Sequence, residues 1–406
     1  MKAISWAVLG CQLLALIFAM AGTALAQQPP IQWTWQSETP GFQSITGLAA
    51  RDGRLVAVGS NRGDDTTGHI VGVNEAGEQF MNYFPAFDEL RTQTSDVAIL
   101  TDGRIAMSME QFYPGEPTIG YVVLYGADGS QSGLSEPIVL PPMSQTNTSL
   151  MALADGGFLL AKSYAPEGTT ALDALIIRYN ATGTRVGDFL FDGPEDRGIS
   201  QLVPLSDDRF LIVGWNGTTE EEHHWAAVLD LDGSVVWDRQ YEGFGRLTAA
   251  AVRPDGSFML AGFVTLGRDR TMGTVDFVDQ DGEQYSQVTL DDAWSSSIRS
   301  VETLPDGGLA FAGYITPAED GHEMAFMTRM DEERQVLWYI GLAGHPRASA
   351  FNDIAVLQDG GLAVGGYIRI DGNVETSTVD GRVMLRETEP EVLGVDGLIL
   401  RFAPDL

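Results

Sequence analysis

One phrase recurs along the whole chain and constrains its fold more than any other feature: an apolar run, Asp-Gly, a second apolar run, then Gly-aromatic. Its instances are Ala50-Arg51-Asp52-Gly53, Leu100-Thr101-Asp102-Gly103, Leu153-Ala154-Asp155-Gly156, Leu205-Ser206-Asp207-Asp208, Arg253-Pro254-Asp255-Gly256, Leu304-Pro305-Asp306-Gly307 and Leu357-Gln358-Asp359-Gly360. Successive first aspartates are 50, 53, 52, 48, 51 and 53 residues apart. A spacing held that closely marks one supersecondary unit used seven times. A single unit is too small to bury its own apolar faces and must stack on its neighbours.

Each unit holds four short runs of β character. In the fourth, Ser200 to Leu205, Phe210 to Trp215, Trp225 to Leu231 and Val235 to Tyr241 read as strands, with a polar loop from Asn216 to His223. Asp-Gly between apolar runs favours a tight hairpin, because glycine accepts positive φ and aspartate tolerates it. The expected fold class is all-β, a seven-bladed β-propeller of four-stranded antiparallel blades. The seventh unit reaches its third strand, near Leu398 to Phe402, and then the sequence ends. Ile31-Gln32-Trp33-Thr34-Trp35-Gln36 matches the character of fourth-strand segments such as Val235-Val236-Trp237 and Val336-Leu337-Trp338. It is expected to close the ring as the outer strand of blade seven. Residues 27–406 then form a single domain, with a long loop, 369–395, in blade seven.

The first 26 residues read as a signal peptide. Lys2 precedes a largely apolar run from Ile4 to Ala21, and Ala24-Leu25-Ala26 supplies a small-x-small cleavage pattern. A membrane anchor is the rival reading of that run; the Ala-x-Ala ending and the polar continuation favour cleavage, hence a secreted or periplasmic chain with no membrane span. Cys11, the only cysteine, lies in the removed segment, which excludes a disulfide framework and a cysteine nucleophile. The net charge of −32 excludes nucleic acid and anionic lipid as partners. A monomer is expected.

Asp306-Gly307-Gly308-Leu309-Ala310-Phe311-Ala312-Gly313-Tyr314 and Leu229-Asp230-Leu231-Asp232-Gly233-Ser234-Val235-Val236-Trp237 resemble repeats of secreted bacterial β-propeller proteins of the quinoprotein-like superfamily. The resemblance spans about residues 31–406 and implies the fold, not a function. Trp237 and Trp338, each seven residues after an aspartate, resemble that group's tryptophan-docking positions, which tie neighbouring blades together. Blades one, two, three and five lack a tryptophan there.

In a propeller, the starts of the first strands and the second-to-third loops share one face. Arg91, Asp96, Asn147, Arg197, Arg246, Arg299, Arg347, Asn352 and Asp353 are therefore candidate ligand-binding residues, with Gln43, Ser44, Ser149, Gln201 and Ser300 beside them. Arginines around one mouth suit a carboxylate, phosphate or sulfate; pairing with neighbouring acids such as Glu195, Asp196 and Asp353 is the alternative. The long loop carries Asp371, Glu375, Asp380, Glu387, Glu389 and Glu391 with Arg382 and Arg386, and suits a lid or partner element. The histidines, His69, His223, His224, His322 and His345, lack metal-ligand spacing and read as surface residues. Asp230-Leu231-Asp232-Gly233 and Asp279-Gln280-Asp281-Gly282 lack the further acids of a calcium loop. No cofactor and no metal are predicted.

Two functions remain open. One is a binding propeller that presents loops around a central mouth to a small anionic ligand, a glycan or a protein partner. The other is an enzyme, either a quinone-dependent dehydrogenase, which would also use Ca²⁺, or a sugar lyase or hydrolase. No catalytic residue is assigned, because no nucleophile elbow, phosphate loop or metal motif is present.

Overall fold

The computed structural model describes residues 30–404, except 38–42, 62–66, 86–90, 113–116, 141–147, 167–171, 192–194, 206–207, 219–220, 268–269, 292, 319–320, 345–347, 371–373, 380–381 and 388–393. Residues 1–26, read above as a signal peptide and including Cys11, lie outside the described residues, as do Asn147, His345 and Arg347.

The first unit shows how the repeat folds. Gln43–Arg51, Arg54–Asn61, Thr67–Asn74 and Gln79–Tyr83 form one antiparallel sheet in chain order. Asp52 and Gly53 turn the first hairpin at φ 50° and 73°. In later units the aspartate also accepts the backbone N–H two residues on, as Asp155 does from Gly157 at 2.9 Å, which holds the turn closed. Asp208 replaces the glycine in the fourth unit and adopts the same left-handed region, φ 58°. The fourth unit's loop is shorter than the sequence suggests. Its second and third strands run to Arg209–Thr218 and Glu221–Asp230, pairing through Asn216 and His223. Its fourth strand continues without a break into the next unit's first, as Val235–Val252.

The last sheet is assembled from both ends of the chain. Ile31–Gln36 pairs antiparallel with Gly394–Phe402, which pairs with Leu362–Ile370, which pairs with Ala348–Val356. The N-terminal strand is thus the outer strand of the last unit, as its sequence suggests. Trp33 locks it: its Nε1 donates to Glu75 O of the first unit at 3.1 Å, and a Cβ on Gly77 would meet the indole at 2.9 Å. Trp237 does the same between units four and five, donating to Gln280 O at 3.0 Å beside Gly282.

The core is divided. Seven large apolar clusters form among the described residues, each at the junction of two successive units, and a small eighth joins Ala165 and Leu172 to Trp215. One joins unit seven to unit one, with Ala363 and Ile399 against Ile45, Leu55 and Val71, and with Trp33 and Trp35 packed on it. Each sheet therefore buries both faces against neighbours, which is why the strands carry apolar residues on both sides.

The stretch 369–395, expected as a loop, carries a hairpin instead. Val374–Val379 pairs antiparallel with Arg382–Glu387, which pairs in parallel with Ala343–Gly344. The first of these strands reads Val-Glu-Thr-Ser-Thr-Val, a β-branched run suited to an extended backbone. Glu375, Arg382, Arg386 and Glu387 lie on these strands; Asp371, Asp380, Glu389 and Glu391 lie outside the described residues.

Candidate functional site

The Gly-aromatic half of the repeat positions the mouth. The first strand carries a β-bulge in six units, between Ile45 and Gly47, Thr94 and Val97, Ile199 and Gln201, Leu247 and Ala249, Ile298 and Ser300, and Phe351 and Asp353. Opposite five of these, the second strand places a glycine whose Cβ would collide with first-strand backbone. On Gly313, for example, it would lie 2.0 Å from Ser297 O. A bulge re-aims side chains and leaves an extra residue at the strand edge. Arg299 and Asn352 are two such residues. The aromatics after the glycines include Trp215, Tyr314 and Tyr367.

Around the bulges, side chains bridge every junction between successive first strands. Thr46 Oγ1 donates to Thr94 O at 3.4 Å and Thr248 Oγ1 to Ile298 O at 2.6 Å. Asp96 Oδ2 accepts from Leu150 N–H at 2.7 Å, Ser149 Oγ from Leu202 N–H at 3.0 Å, and Gln201 Oε1 from Ala250 N–H at 2.7 Å. Ser300 Oγ accepts from Ile354 N–H at 3.1 Å, and Asp353 Oδ2 accepts from Leu48 N–H at 2.7 Å. Asn352 adds a second tie, donating to Ile45 O at 2.6 Å. Asp96, Asn352 and Asp353, read from sequence as ligand contacts, are thus brought together in a girdle whose polar atoms already serve the fold.

Two girdle carboxyls and a neighbour titrate unusually. Burial pushes Asp96 up to about 7, opposed by the Leu150 N–H and assisted by the charge of Asp353. Burial lifts Asp353 to about 6 against the N–H of Leu48 and the Ser300 hydroxyl. Burial, then the Asp353 charge, raises Glu302 to about 8. All three keep a little accessible surface, yet each is surrounded by protein, and the second fact controls the charged form. Among the described residues, no three His, Cys, Asp or Glu side chains are grouped as a metal site requires.

The arginines separate into two kinds. Arg197 is 9% exposed, donates to Asp238 Oδ2 at 3.0 Å and stacks on Phe191 and Trp225, so it turns inward between units three and four. Arg246 grips both oxygens of Glu222 at 2.5 Å and lies over Trp215. Both follow the pairing alternative, with acids on other strands. Arg299 differs. Its Nη1 donates to Asn352 Oδ1, its guanidinium carbon lies 4.9 Å from the Tyr314 ring centre, and it pairs with no carboxylate among the described residues. Tyr367 stands nearby, half-buried, its hydroxyl donating to Glu323 Oε2 at 2.5 Å; burial and that carboxylate hold its phenol above the ordinary range. Arg91 is exposed at the start of its strand.

Two histidines expected on the surface are buried. His69 is 4% exposed, stacks on Phe84 at 4.3 Å and meets Asn82 Oδ1 at 2.7 Å; burial lowers it. His224 is fully buried between Asp276 Oδ2 at 3.0 Å and Phe263 O at 2.9 Å. Their third strands begin earlier than the sequence suggests, which draws both rings inside. His322 is exposed.

Stacked antiparallel sheets built on one repeated hairpin, Asp-Gly in six units and ending in Asp208 in the fourth, and joined at their innermost strands, define a β-propeller. No protein-family model matches the chain, and no curated protein matches it in sequence. Among solved structures it is similar to Sqt1 from Chaetomium thermophilum, 10% identical over 93% of this chain and 98% of that one, TM-score 0.51. Sqt1 bound to the N-terminus of ribosomal protein L10 aligns at 10% identity over 89% and 97%, TM-score 0.49. A gluconolactonase from Xanthomonas campestris aligns at 14% identity over 94% and 93%, TM-score 0.40. Binding proteins and enzymes both occur among these neighbours; the likeness speaks for the fold alone.

Proposed function

We propose that the protein is an exported binding propeller whose mouth, where units six, seven and one meet, holds the anionic group of a small molecule or glycan. The observation that carries this reading is the state of Arg299. Arg197 and Arg246 are each closed off by a carboxylate and an aromatic face, whereas Arg299 is held only by an amide oxygen and a ring. That fixes its plane and leaves further N–H donors for a carboxylate, sulfate or phosphate. Tyr314 and Tyr367, half-buried beside it, offer flat apolar faces with polar tips. The chain's net charge of −32 opposes an anion at long range. Fields beyond about 8 Å are screened at physiological salt, however, so the local cation decides. The export part of the proposal rests on Lys2, the apolar run after it and Ala24-Leu25-Ala26.

The test is a thermal-shift screen of the mature protein against carboxylates, phosphate and sulfate esters and acidic oligosaccharides, followed by calorimetry. A ligand at a hundred times its Kd adds about 2.7 kcal/mol to stability, so moderate binders register. Arg299→Met is expected to abolish binding with little change in melting temperature. Arg246→Met should instead lower the melting temperature, because it strands Glu222. Equal affinity in Arg299→Met and wild type would refute the site.

A further inference from the structure

Lys162 is set apart twice. It is the only lysine after residue 2, in a chain whose other basic side chains are arginines. It is also buried, 3% exposed, against a Glu110 that is 2% exposed. Lys162 lies on the second strand of unit three, Phe158–Tyr164, and Glu110 on the second strand of unit two, Ile105–Phe112. The pair therefore spans a junction, beside the apolar cluster of Leu140, Leu150, Leu160 and Leu175. Nζ donates to Glu110 Oε1 and, at 2.9 Å, to Thr148 Oγ1. Thr148 Oγ1 lies 3.5 Å from the same carboxyl oxygen. The other oxygen, Oε2, is buried with no hydrogen-bond partner among the described residues.

As an ion pair this arrangement is poor. A carboxylate out of water needs its lone pairs satisfied, and here one oxygen has nothing. The chain holds other carboxylates with arginine forks, as at Arg246 and Glu222, and places an amine only here. An amine can do what a guanidinium cannot: lose its proton and attack a carboxyl carbon. Burial lowers Lys162 to about 7, which makes the neutral amine accessible near neutral pH. Passing its proton to the carboxylate leaves both groups uncharged, the form a low-dielectric site favours.

We propose that Lys162 and Glu110 condense to an amide that staples unit two to unit three. The lone pair of Nζ attacks Cδ and an N–C bond forms. A Cδ–O bond then breaks, and the leaving hydroxyl departs as water with a proton from nitrogen. Thr148, in contact with both groups, is placed to relay that proton. No oxidant, reductant or cofactor is required. In a chain whose one cysteine precedes residue 27, the bond does the work of a disulfide.

The experiment is a tryptic map of the wild-type protein, folded and incubated at neutral pH, then denatured and read by mass spectrometry. No lysine or arginine lies between Arg104 and Lys162. An unjoined chain is cut after Lys162 and gives 105–162 at its sequence mass. A joined chain resists cutting there and gives 105–178, internally looped and lighter by one water. The looped peptide is expected as the main species, and Lys162→Arg should release 105–162 at full mass. Wild-type protein cut at Lys162, with both fragments at sequence mass, overturns the proposal. The wild-type map decides alone, so the result does not depend on the variant folding.

Discussion

Asp96, Asp353 and Glu302 make the fold sensitive to alkali. Each is lifted above its ordinary value, to about 7, about 6 and about 8. The folded chain thus holds protons that the unfolded chain has already released. Their contribution to stability is complete below pH about 4 and is lost as pH rises through about 6 to about 8. The Leu150 and Leu48 N–H groups limit this by supporting the charged forms of the two aspartates. Melting temperature is expected to fall between about pH 5 and about pH 8, and Asp96→Asn should flatten that fall while lowering stability at acid pH. An unchanged profile in the variant would mean that Asp96 keeps ordinary titration in the fold. The residue scale is also where the sequence misleads about the mouth. Arg197 and Arg246 stand at first-strand starts as expected, but Asp238 and Glu222, which occupy them, lie 41 and 24 residues away on other strands. Spacing along the chain does not reveal partners across a sheet.

At the scale of the element, the repeat is a recipe for two backbone events. Asp-Gly turns the hairpin, and the second glycine admits the bulge. The hairpin is legible from one sequence, because glycine's tolerance of positive φ is a local property. The bulge is not, because Gly313 matters only through Ser297 O on another strand. Gly313→Ala would place a methyl against that carbonyl and push the bulge, with Arg299 in it, out of place. A loss of about 2–3 kcal/mol or more is expected in denaturant unfolding. A change within about 0.5 kcal/mol would show that the bulge relaxes freely. An aromatic follows the glycine at Trp215, Phe263, Tyr314 and Tyr367, though not at Gly59, and Tyr314 and Tyr367 are its members at the mouth. Their neighbourhood with Arg299 emerges only when sheets are stacked. The hairpin within 369–395 is not legible in the repeat, because its strands lie outside the period that marks the others.

For the whole molecule, seven apolar layers and the girdle at every junction distribute stability around the ring. No junction is spare. Unit seven meets unit one through Ala363 and Ile399 against Ile45, through Asp353 on Leu48 N–H, and through the strand Ile31–Gln36 with Trp33 and Trp35. This is the most legible part of the chain, since the period and the Trp-bearing segment before the first repeat both point to one topology. The direct test is the melting temperature of the chain begun at residue 38, compared with the chain begun at residue 27. Removing the outer strand bares the edge of Gly394–Phe402 and strips both tryptophans from the last junction. A drop of about 5 °C or more is expected, partly restored by a synthetic peptide of residues 27–37. An unaltered melting temperature would contradict this closure, because the first strand would then contribute nothing to the last junction.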